Sequence, residues 1–389
     1  MTHGFFLADI KSYPFGQTAL GTETIEQGFS LENMFGHFDD FTFRNFYNLN
    51  RIDKIKVDKK FIMASVNMPL SYKIKLSFDT IQKINNDADT FLVMISILEG
   101  EMDYAKILKE LSKQRINKEK VIIITSCYSH LENQFGLKFV YIDYWESFTR
   151  YHQRFLPNAT DRRAINLDTE KKFLCLNRNQ KAHRIWFYFN LYRLKMHKQS
   201  HTSYHLPLLD IEQYNTMARS SFVTKYIPSS LYPEYEQFLN KTYEGIVLDK
   251  LSADPINYNS TIYDYYNDSL FSIVTESSFR FTFLTEKTFK AIVHCHPFFI
   301  IGNKQHHWLL RENGYHTFED FFDIEKVENF DEASSLLSKI KYTDIQDYKN
   351  KFGKEFIDKL YSNYENFYNR RISWLAIEKK LFLASGSND

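Results

Sequence analysis

The sequence predicts an α/β protein with two doubly wound domains, each built on a parallel β-sheet, and three observations lead to this prediction. Short runs that are almost wholly apolar alternate with stretches whose apolar residues recur at helical spacing. This alternation occurs twice, over 91–145 and again over 172–315. A polar stretch at 156–172, typical of a linker, separates the two. Strands that are apolar on both faces indicate parallel sheets covered by helices on both sides.

The composition is that of a folded protein. A chain of 389 residues with 17% aromatic residues has enough apolar material for two or three cores. The formal charge of +1 gives no global basic field for nucleic acid, although a local basic patch remains possible. Cys127, Cys175 and Cys295 are far apart and lie in or beside apolar runs, which predicts reduced core thiols in a cytoplasmic protein. The first residues lack the features of a signal peptide, and no run approaches the roughly 18 apolar residues of a membrane span.

The first half is predicted to hold strands joined by a helix. The apolar run FLVMISILEG predicts a strand that ends in Glu-Gly, and the helical spacing of EMDYAKILKELSKQ predicts the helix after it. An aromatic-rich stretch, 35–50, is typical of either a loop or an irregular helix. The strands are predicted at 59–67, 91–100, 120–126 and 137–145, with the helix at 101–114.

The second half repeats the pattern after the linker. Strands are predicted at 172–179, 269–278 and 297–301, and helices at 181–196, 235–243, 285–294, 306–315 and, as one or two elements, 354–384. Gly314 is placed to end the helix before it. The predicted organisation is a first domain over 1–160, a second over 161–353, and C-terminal helices over 354–389 that pack back on the first domain.

Polar residues follow several of the predicted strands. Glu99 stands at the polar end of the run 91–100, directly after its apolar residues, and polar groups stand at 177–181, 275–278 and 285–287. Ligands of open parallel sheets bind outside the carboxyl ends of the strands. These residues are therefore the ones we expect to line a cleft.

The segment LFSIVTESSFRFTFLTEKTFKAIVHCHPFFIIG, residues 270–302, resembles the donor-binding segment of GT-B glycosyltransferases. The likeness is strongest to the alpha-1,3-fucosyltransferases and weaker to exostosin-like enzymes. Thr285, Glu286 and Lys287 match the family's Thr/Ser-Glu-Lys helix start, and 297–302 matches its last strand. Thr275-Glu276-Ser277 stands where the family has a Phe-Glu-Asn-Ser turn. The sequence departs from the family at 294–296, His-Cys-His, where glycine is usual.

The resemblance implies a GT-B fold, in which two Rossmann-like domains face each other across a cleft. It also implies transfer of a sugar from a nucleotide-diphosphate sugar to a hydroxyl of a glycan, a lipid-linked sugar or a modified nucleobase, without a metal or another cofactor. The stretch LNRNQKAHRIWFYFNL places Arg184 at the family's phosphate-binding arginine. The implied donor-binding residues are Arg178, Lys181, Arg184, Glu276, Thr285, Glu286 and Lys287.

Physical chemistry agrees with these assignments. A lysine in the first turn of a helix is disfavoured by the helix dipole, so Lys287 predicts an anion at that position. The diphosphate of a donor is such an anion, and helix amides bind it well. Arg178, Lys181 and Arg184 surround a second helix start, and the Glu286 carboxylate suits a pair of ribose hydroxyls.

The transfer also needs a general base for the acceptor hydroxyl, normally supplied by the first domain. Glu99 is the first candidate because it directly follows a buried strand, and Asp143 is the second. Glu99 as a simple helix cap is an equally open interpretation.

Other interpretations of the donor residues stay open. Glu286 fits an ordinary first-turn charge, Lys181 and Arg184 a solvated helix face, and Glu276 a surface turn. The pairs His294/His296 and His306/His307 fit no standard zinc spacing and are interpreted as packing or cleft residues. Neither a Walker P-loop nor a G-x-G-x-x-G fingerprint occurs, which argues against an NTPase and a nicotinamide dehydrogenase. The alternatives for function are an inactive relative that binds nucleotide or glycan, and a viral-type transferase acting on DNA bases.

Overall fold

The computed structural model describes residues 5–7, 60–65, 76, 78–96, 104–127, 136–141, 145–146, 149, 164–177, 181–204, 211–224, 227–241, 263–277, 282–303, 305–324, 330–369 and 384. The chain divides into two compact units, residues 1–151 with 371–389 and residues 152–370. Both contain a parallel sheet with helices, so the predicted α/β class is confirmed.

The first unit contains a sheet whose described strands lie in chain order, β1-β2-β3-β4-β5, all parallel. The strands are β1 Phe5–Leu7, β2 Lys60–Ser65, β3 Thr90–Ser96, β4 Val121–Thr125 and β5 Lys138–Tyr141, and the helices are α1 Phe78–Asn86 and α2 Tyr104–Lys113. A 3₁₀ turn at Lys118–Lys120 leads into β4. The strands predicted over 59–145 are confirmed, whereas the aromatic-rich stretch 35–50 lies outside the described residues.

Both described helices of this unit pack on the same face of the sheet. One buried cluster joins Ile84 of α1 and Leu111 of α2 to Leu92 of β3 and Ile123 of β4. The side chains of β4 are nevertheless buried along its whole length, on both faces. The residues of β4 therefore have the two-sided burial that its apolar run predicted.

The second unit contains a sheet of different order, β7-β6-β8-β9, again parallel. Its strands are β6 Phe173–Asn177, β7 Ser200–Tyr204, β8 Phe271–Thr275 and β9 Phe298–Ile301. From β6 the chain moves to one side to form β7 and then returns to the other side to form β8. This reversal is the topological switch of a doubly wound sheet, and it lies between β6 and β8.

Helices make up most of the rest of this unit. They are α3 Ala182–Arg193, α4 Ile211–Ala218, α5 Ser221–Thr224, α6 Tyr232–Lys241, α7 Tyr263–Asn267, α8 Glu286–Val293, α9 Gln305–Glu312, α10 Glu319–Phe322, α11 Phe330–Tyr342, α12 Ile345–Asn350 and α13 Lys354–Asn369. Short 3₁₀ turns lie at Met196–Lys198 and Ser229–Leu231. No helix in the described ranges is both long and apolar enough to cross a membrane.

Helix α3, predicted at 181–196, is buried on all sides over most of its length. Every residue from 183 to 191 is buried, including Arg184 and Asn190. A helix that is apolar on all sides is an interior helix, and α3 accordingly lies in an aromatic cluster with Tyr204, Tyr235 and Phe238.

Helix α8 ends in a left-handed residue that is not glycine. Cys295 has φ +51° and is buried. Its amide donates to the Ile292 carbonyl at 3.0 Å, and the His296 amide donates to the Ala291 carbonyl at 2.9 Å. These two bonds form a Schellman motif, whose left-handed position normally holds glycine. Cys295, in the middle of the His-Cys-His stretch 294–296, thus occupies a position where the left-handed backbone favours glycine.

Two segments near the ends of the second unit, residues 166–169 of the predicted linker and helix α13, make their contacts within that unit. Part of the predicted linker is bound within this unit, since Asn166 donates to the Asn267 carbonyl at 2.9 Å and Thr169 to Asp268 at 3.2 Å. Helix α13 packs against α8, where the Phe289 and Phe367 rings are 6.2 Å apart. It therefore packs within the second unit. Residues 371–389 group with the first unit, and the expectation that C-terminal helices pack on the first domain stays a prediction for them.

Strand β9 is the outermost described strand beside β8, and a side chain covers part of its open edge. The Ile300 amide donates to His307 Nε2 at 3.2 Å, and His307 Nδ1 lies 3.0 Å from Glu319 Oε1. The prediction of buried core thiols is confirmed, since Cys127, Cys175 and Cys295 are all buried and none of them forms a disulfide.

Candidate functional site

The site lies where β6 and β8 end, at the reversal of strand order. Asn177 is the last residue of β6 and Thr275 the last of β8. The Thr275 hydroxyl donates to the Asn177 side-chain oxygen, and the Asn177 amide donates to the Ser203 hydroxyl at 2.9 Å. The ends of the central strands are thus bonded to each other and to β7.

Glu276 follows β8 and points its carboxylate at the start of α8. It is fully buried. Oε1 accepts from the Thr285 amide at 3.0 Å and the Thr288 hydroxyl at 2.6 Å, while Oε2 accepts from the Thr285 hydroxyl at 2.7 Å and the Ser277 amide at 3.3 Å. All these partners are donors, so the carboxylate takes up part of the hydrogen-bonding capacity that a helix N-terminus offers to an anion.

Helix α8 begins as its sequence predicted. Thr285 has extended backbone, and its hydroxyl accepts from the Lys287 amide at 3.4 Å, as an N-cap does. Lys287 Nζ donates to Glu286 Oε1 at 2.8 Å, and both side chains keep slight exposure, 13% and 14%. The anion that Lys287 predicted is therefore supplied in part by the protein itself, through Glu286 and the nearby Glu276.

The two carboxyl groups at this helix end have opposite pKa shifts. Burial raises the pKa of Glu276, although Lys287 and the hydrogen bonds from Thr285 and Thr288 oppose the rise. Burial also acts to raise the pKa of Glu286, but the ammonium groups of Lys287 and Lys290 outweigh it and lower that pKa to about 2. Neighbouring carboxyl groups whose pKa values are pushed apart are typical of sites with distinct roles for each.

The first turn of α3 reaches across to the turn after β8. Lys181 Nζ donates to the Ser277 carbonyl at 2.9 Å, His183 Nε2 lies 2.8 Å from the Glu276 carbonyl, and Arg184 Nη2 donates to the Thr275 carbonyl at 3.0 Å. Three successive carbonyl groups at the end of β8, those of residues 275–277, thus contact side chains from one helix start. Arg184 is only 1% exposed, so the solvated-face interpretation is wrong for this residue.

Gly302, directly after β9, closes the other side of Glu276. A Cβ at this position would lie 2.7 Å from the His306 ring and 3.4 Å from Glu276 Cβ. The His306 ring is fully buried, and its Nε2 accepts from the Phe283 amide at 3.0 Å. The missing side chain is therefore what allows this ring to lie beside the site.

Several buried polar atoms here have no hydrogen-bond partner among the described residues. They are Ser277 Oγ, Glu286 Oε2 and His306 Nδ1. A buried polar group without a partner is unfavourable unless something else satisfies it. The carboxyl end of this sheet thus has unused hydrogen-bonding capacity of both kinds.

The structure brings together six of the residues singled out from the sequence: Lys181, Arg184, Glu276, Thr285, Glu286 and Lys287. Glu276 is not the surface turn residue of the alternative interpretation, since it is fully buried. Arg178, Glu99 and Asp143 lie outside the described residues.

The histidine pairs have packing contacts. His294 lies 4.3 Å, ring to ring, from Tyr266, and His296 contacts Ser272 Oγ at 2.7 Å and the Ser269 carbonyl at 2.6 Å. Over the described ranges, no group of His, Cys, Asp and Glu side chains is arranged to hold a metal ion.

Sequence reasoning missed His183, and it predicted for His306 only a packing or cleft position. Both are buried rings whose contacts are to backbone groups, at Glu276 and Phe283. No spacing rule marks such a residue. The available signal for His183 was its place between Lys181 and Arg184 in a helix start already assigned to the site.

Comparison of the chain with models of protein families, with curated proteins and with solved structures found no match in any of the three.

Proposed function

We propose that the protein is a GT-B glycosyltransferase that moves a sugar from a nucleotide-diphosphate donor to an acceptor hydroxyl. The observation that carries this proposal is the reversal of strand order between β6 and β8, with Lys181, Glu276 and the start of α8 at the carboxyl ends of those strands. Ligands of doubly wound sheets bind at such a crevice. The resemblance of Thr285-Glu286-Lys287 to the donor-binding segment of the family suggests that this ligand is a nucleotide sugar.

The diphosphate binds at the start of α8 in this proposal. Lys287 is a partly exposed cation in that helix turn. Its Nζ lies 2.8 Å from Glu286 Oε1, and this ion pair leaves part of the lysine side chain exposed to a ligand. As the bond to the sugar breaks, negative charge grows on the leaving diphosphate, and a fixed ammonium group stabilises it more in the transition state than in the ground state. Lys287 therefore contributes to turnover as well as to binding.

The second oxygen of Glu286 accepts a hydroxyl of the nucleotide's ribose. Oε2 is buried and has no partner among the described residues, while Oε1 is taken by Lys287. The low pKa keeps the group ionised, and an ionised carboxylate is a strong acceptor.

The roles of Lys181 and Arg184 are less direct than the sequence predicted. Both side chains donate to carbonyl groups after β8, so they shape the crevice floor. The acceptor, whether a glycan, a lipid-linked glycan or a modified nucleic acid, and the general base, Glu99 or Asp143, belong to the first domain in this proposal. No cofactor takes part.

The test is a panel of nucleotide sugars screened by thermal shift, followed by calorimetry with the best donor, its nucleoside diphosphate and its nucleoside. A ligand at 100 times its dissociation constant stabilises by about 2.7 kcal/mol, which a thermal shift detects easily. Lys287→Ala should weaken the diphosphate and the donor but scarcely affect the nucleoside. Lys359→Ala, an exposed lysine on α13, is the matched control and should change none of the three.

The outcomes separate the alternatives. Release of nucleoside diphosphate in the presence of EDTA supports a transferase that needs no metal. Binding without release identifies an inactive relative. If Lys287→Ala binds the diphosphate as tightly as the parent does, Thr-Glu-Lys is only a helix start and the proposed donor site is wrong.

A further inference from the structure

His183 has a contact that no motif assigns. It lies in the first turn of α3, is buried, and its Nε2 is 2.8 Å from the carbonyl oxygen of Glu276. A carbonyl only accepts hydrogen bonds, so Nε2 carries the proton and donates it. The burial of the ring and the neighbouring Arg184 lower its pKa well below the usual range, which keeps it neutral.

The residue that His183 holds is the one whose carboxylate organises the start of α8. The main chain of Glu276 is bonded to α3 through His183, and its side chain is bonded to α8 through Thr285 and Thr288. A shift of this main chain would move the carboxylate relative to the Thr285 amide and hydroxyl. The geometry of the helix start therefore depends on a residue from a different helix.

We propose that His183 is a positioning residue for the nucleotide site: by fixing the Glu276 main chain it sets the orientation of the α8 N-terminus and of Lys287. Its effect on nucleotide affinity rests on the proposed function. Its effect on the order of the segment after β8 does not.

The experiment compares variants of His183 with variants of a second buried histidine. His296 makes an equivalent bond, Nε2 to the Ser269 carbonyl at 2.6 Å, but before β8 begins, at the opposite end of that strand. His183→Gln keeps a donor at about the position of Nε2, whereas His183→Leu removes it at similar volume. His296→Gln and His296→Leu form the matched pair.

Two readouts are taken at a temperature where every variant is folded. The first is the dissociation constant of uridine and guanosine diphosphate by calorimetry, and the second is hydrogen exchange of peptides covering 275–288 and 263–272. His183→Leu should weaken the bound diphosphate about tenfold, as expected for one lost buried hydrogen bond, and raise exchange in 275–288. His183→Gln should restore both, and neither His296 variant should change the affinity.

The outcomes are distinguishable. Equal loss of affinity in His183→Leu and His296→Leu would mean that general destabilisation is the cause and would overturn the positioning role. Unchanged exchange in 275–288 for His183→Leu would overturn it as well. If the parent binds neither uridine diphosphate nor guanosine diphosphate, the proposed donor site fails for these two nucleotides. The exchange data alone then decide the role of His183.

Discussion

The two sheets of this protein are both parallel, yet they differ in the order of their strands. The described strands of the first follow the chain from β1 to β5, and α1 and α2 cover one face of it. The second reverses between β6 and β8, which sends successive connections in opposite directions. A crevice forms at the carboxyl ends of strands only where such a reversal occurs. The candidate site accordingly lies on the second sheet, although apolar strands followed by polar residues mark both halves of the sequence.

The largest expected effect tests whether the two units divide the chemistry. If Glu99 is the general base of the proposed reaction, Glu99→Gln should lower kcat by a factor on the order of 10²–10⁴, while nucleotide affinity stays close to that of the parent. Steady-state kinetics with the best donor, together with calorimetry, measures both. An unchanged kcat would move the role to Asp143 or to another residue. An equal loss of affinity would contradict the assignment of donor binding to the second unit alone.

The next effect concerns the Glu276 carboxylate, which lies between the end of β8 and the start of α8. Glu276→Ala should lower the free energy of unfolding by about 3 kcal/mol or more, since buried donors from Thr285, Thr288 and Ser277 lose their acceptor. Urea denaturation measures the change. Glu355→Ala, on the exposed surface of α13, should stay within about 0.5 kcal/mol of the parent. A comparably small change for Glu276 would mean that its bonds do not stabilise the fold.

A smaller effect distinguishes the two carboxyl groups by pH. Glu286 has a folded pKa of about 2, below its ordinary 4.5, so its stabilising contribution is present above pH 4.5 and is lost as the pH falls towards 2. Glu286→Gln should therefore lower the free energy of unfolding by about 2 kcal/mol at pH 7, and the loss should become progressively smaller in acid.

Glu276 should show the opposite trend. Its pKa is raised by burial, so ionisation is less favourable in the folded protein than in the unfolded chain, and its contribution falls as the pH rises from 4.5 through the folded value. The cost of Glu276→Gln should thus be greater in acid than at neutral pH. Parallel profiles for the two variants, from unfolding curves at several pH values, would contradict the assigned shifts.

The smallest effect concerns the end of α8. At Cys295, φ +51°, glycine should be about 1 kcal/mol more stable than alanine, because alanine keeps the left-handed strain and both variants lose the thiol. Thermal unfolding of Cys295→Gly and Cys295→Ala makes the comparison. At an ordinary helical position the order is reversed, so an alanine variant of equal or greater stability would show that the left-handed backbone carries no strain.

The elements that could be predicted from the sequence are those whose apolar pattern matches their burial. Strand β4, VIIIT, and strand β9, FFII, are examples. Strand β7, SHTSY, could not be predicted because all of its buried residues except Tyr204 are Ser or Thr. Ser200 and Thr202 satisfy each other at 2.8 Å, and Ser203 accepts from Asn177, so burial is favourable without an apolar sequence. A prediction that lacks β7 cannot contain the reversal of strand order, and this reversal is the feature that defines the site.

The sequence predicts which residues belong to the site, but it does not predict which groups their side chains contact. The cation at Lys287 predicted an anion, yet the sequence does not reveal that Glu286 lies 2.8 Å from it. The sequence predicts Arg184 as a cation for phosphate, and only the three-dimensional structure shows that it reaches the Thr275 carbonyl from inside the core. Partners across the chain depend on the packing of α3, α8 and β8, which no local pattern encodes.

The contact between His307 and β9 bears on how the protein behaves in concentrated solution. A strand of Phe and Ile with an open edge is a template on which another chain adds a strand, and many proteins prevent this with a lysine or proline in the edge strand itself. Strand β9 contains neither, but His307 occupies the Ile300 amide and is held in turn by Glu319. Growth of the sheet from copy to copy is thereby opposed by the helix that follows the strand. Protection of this kind is lost with the helix, so early unfolding of α9 would expose an aggregation-prone edge.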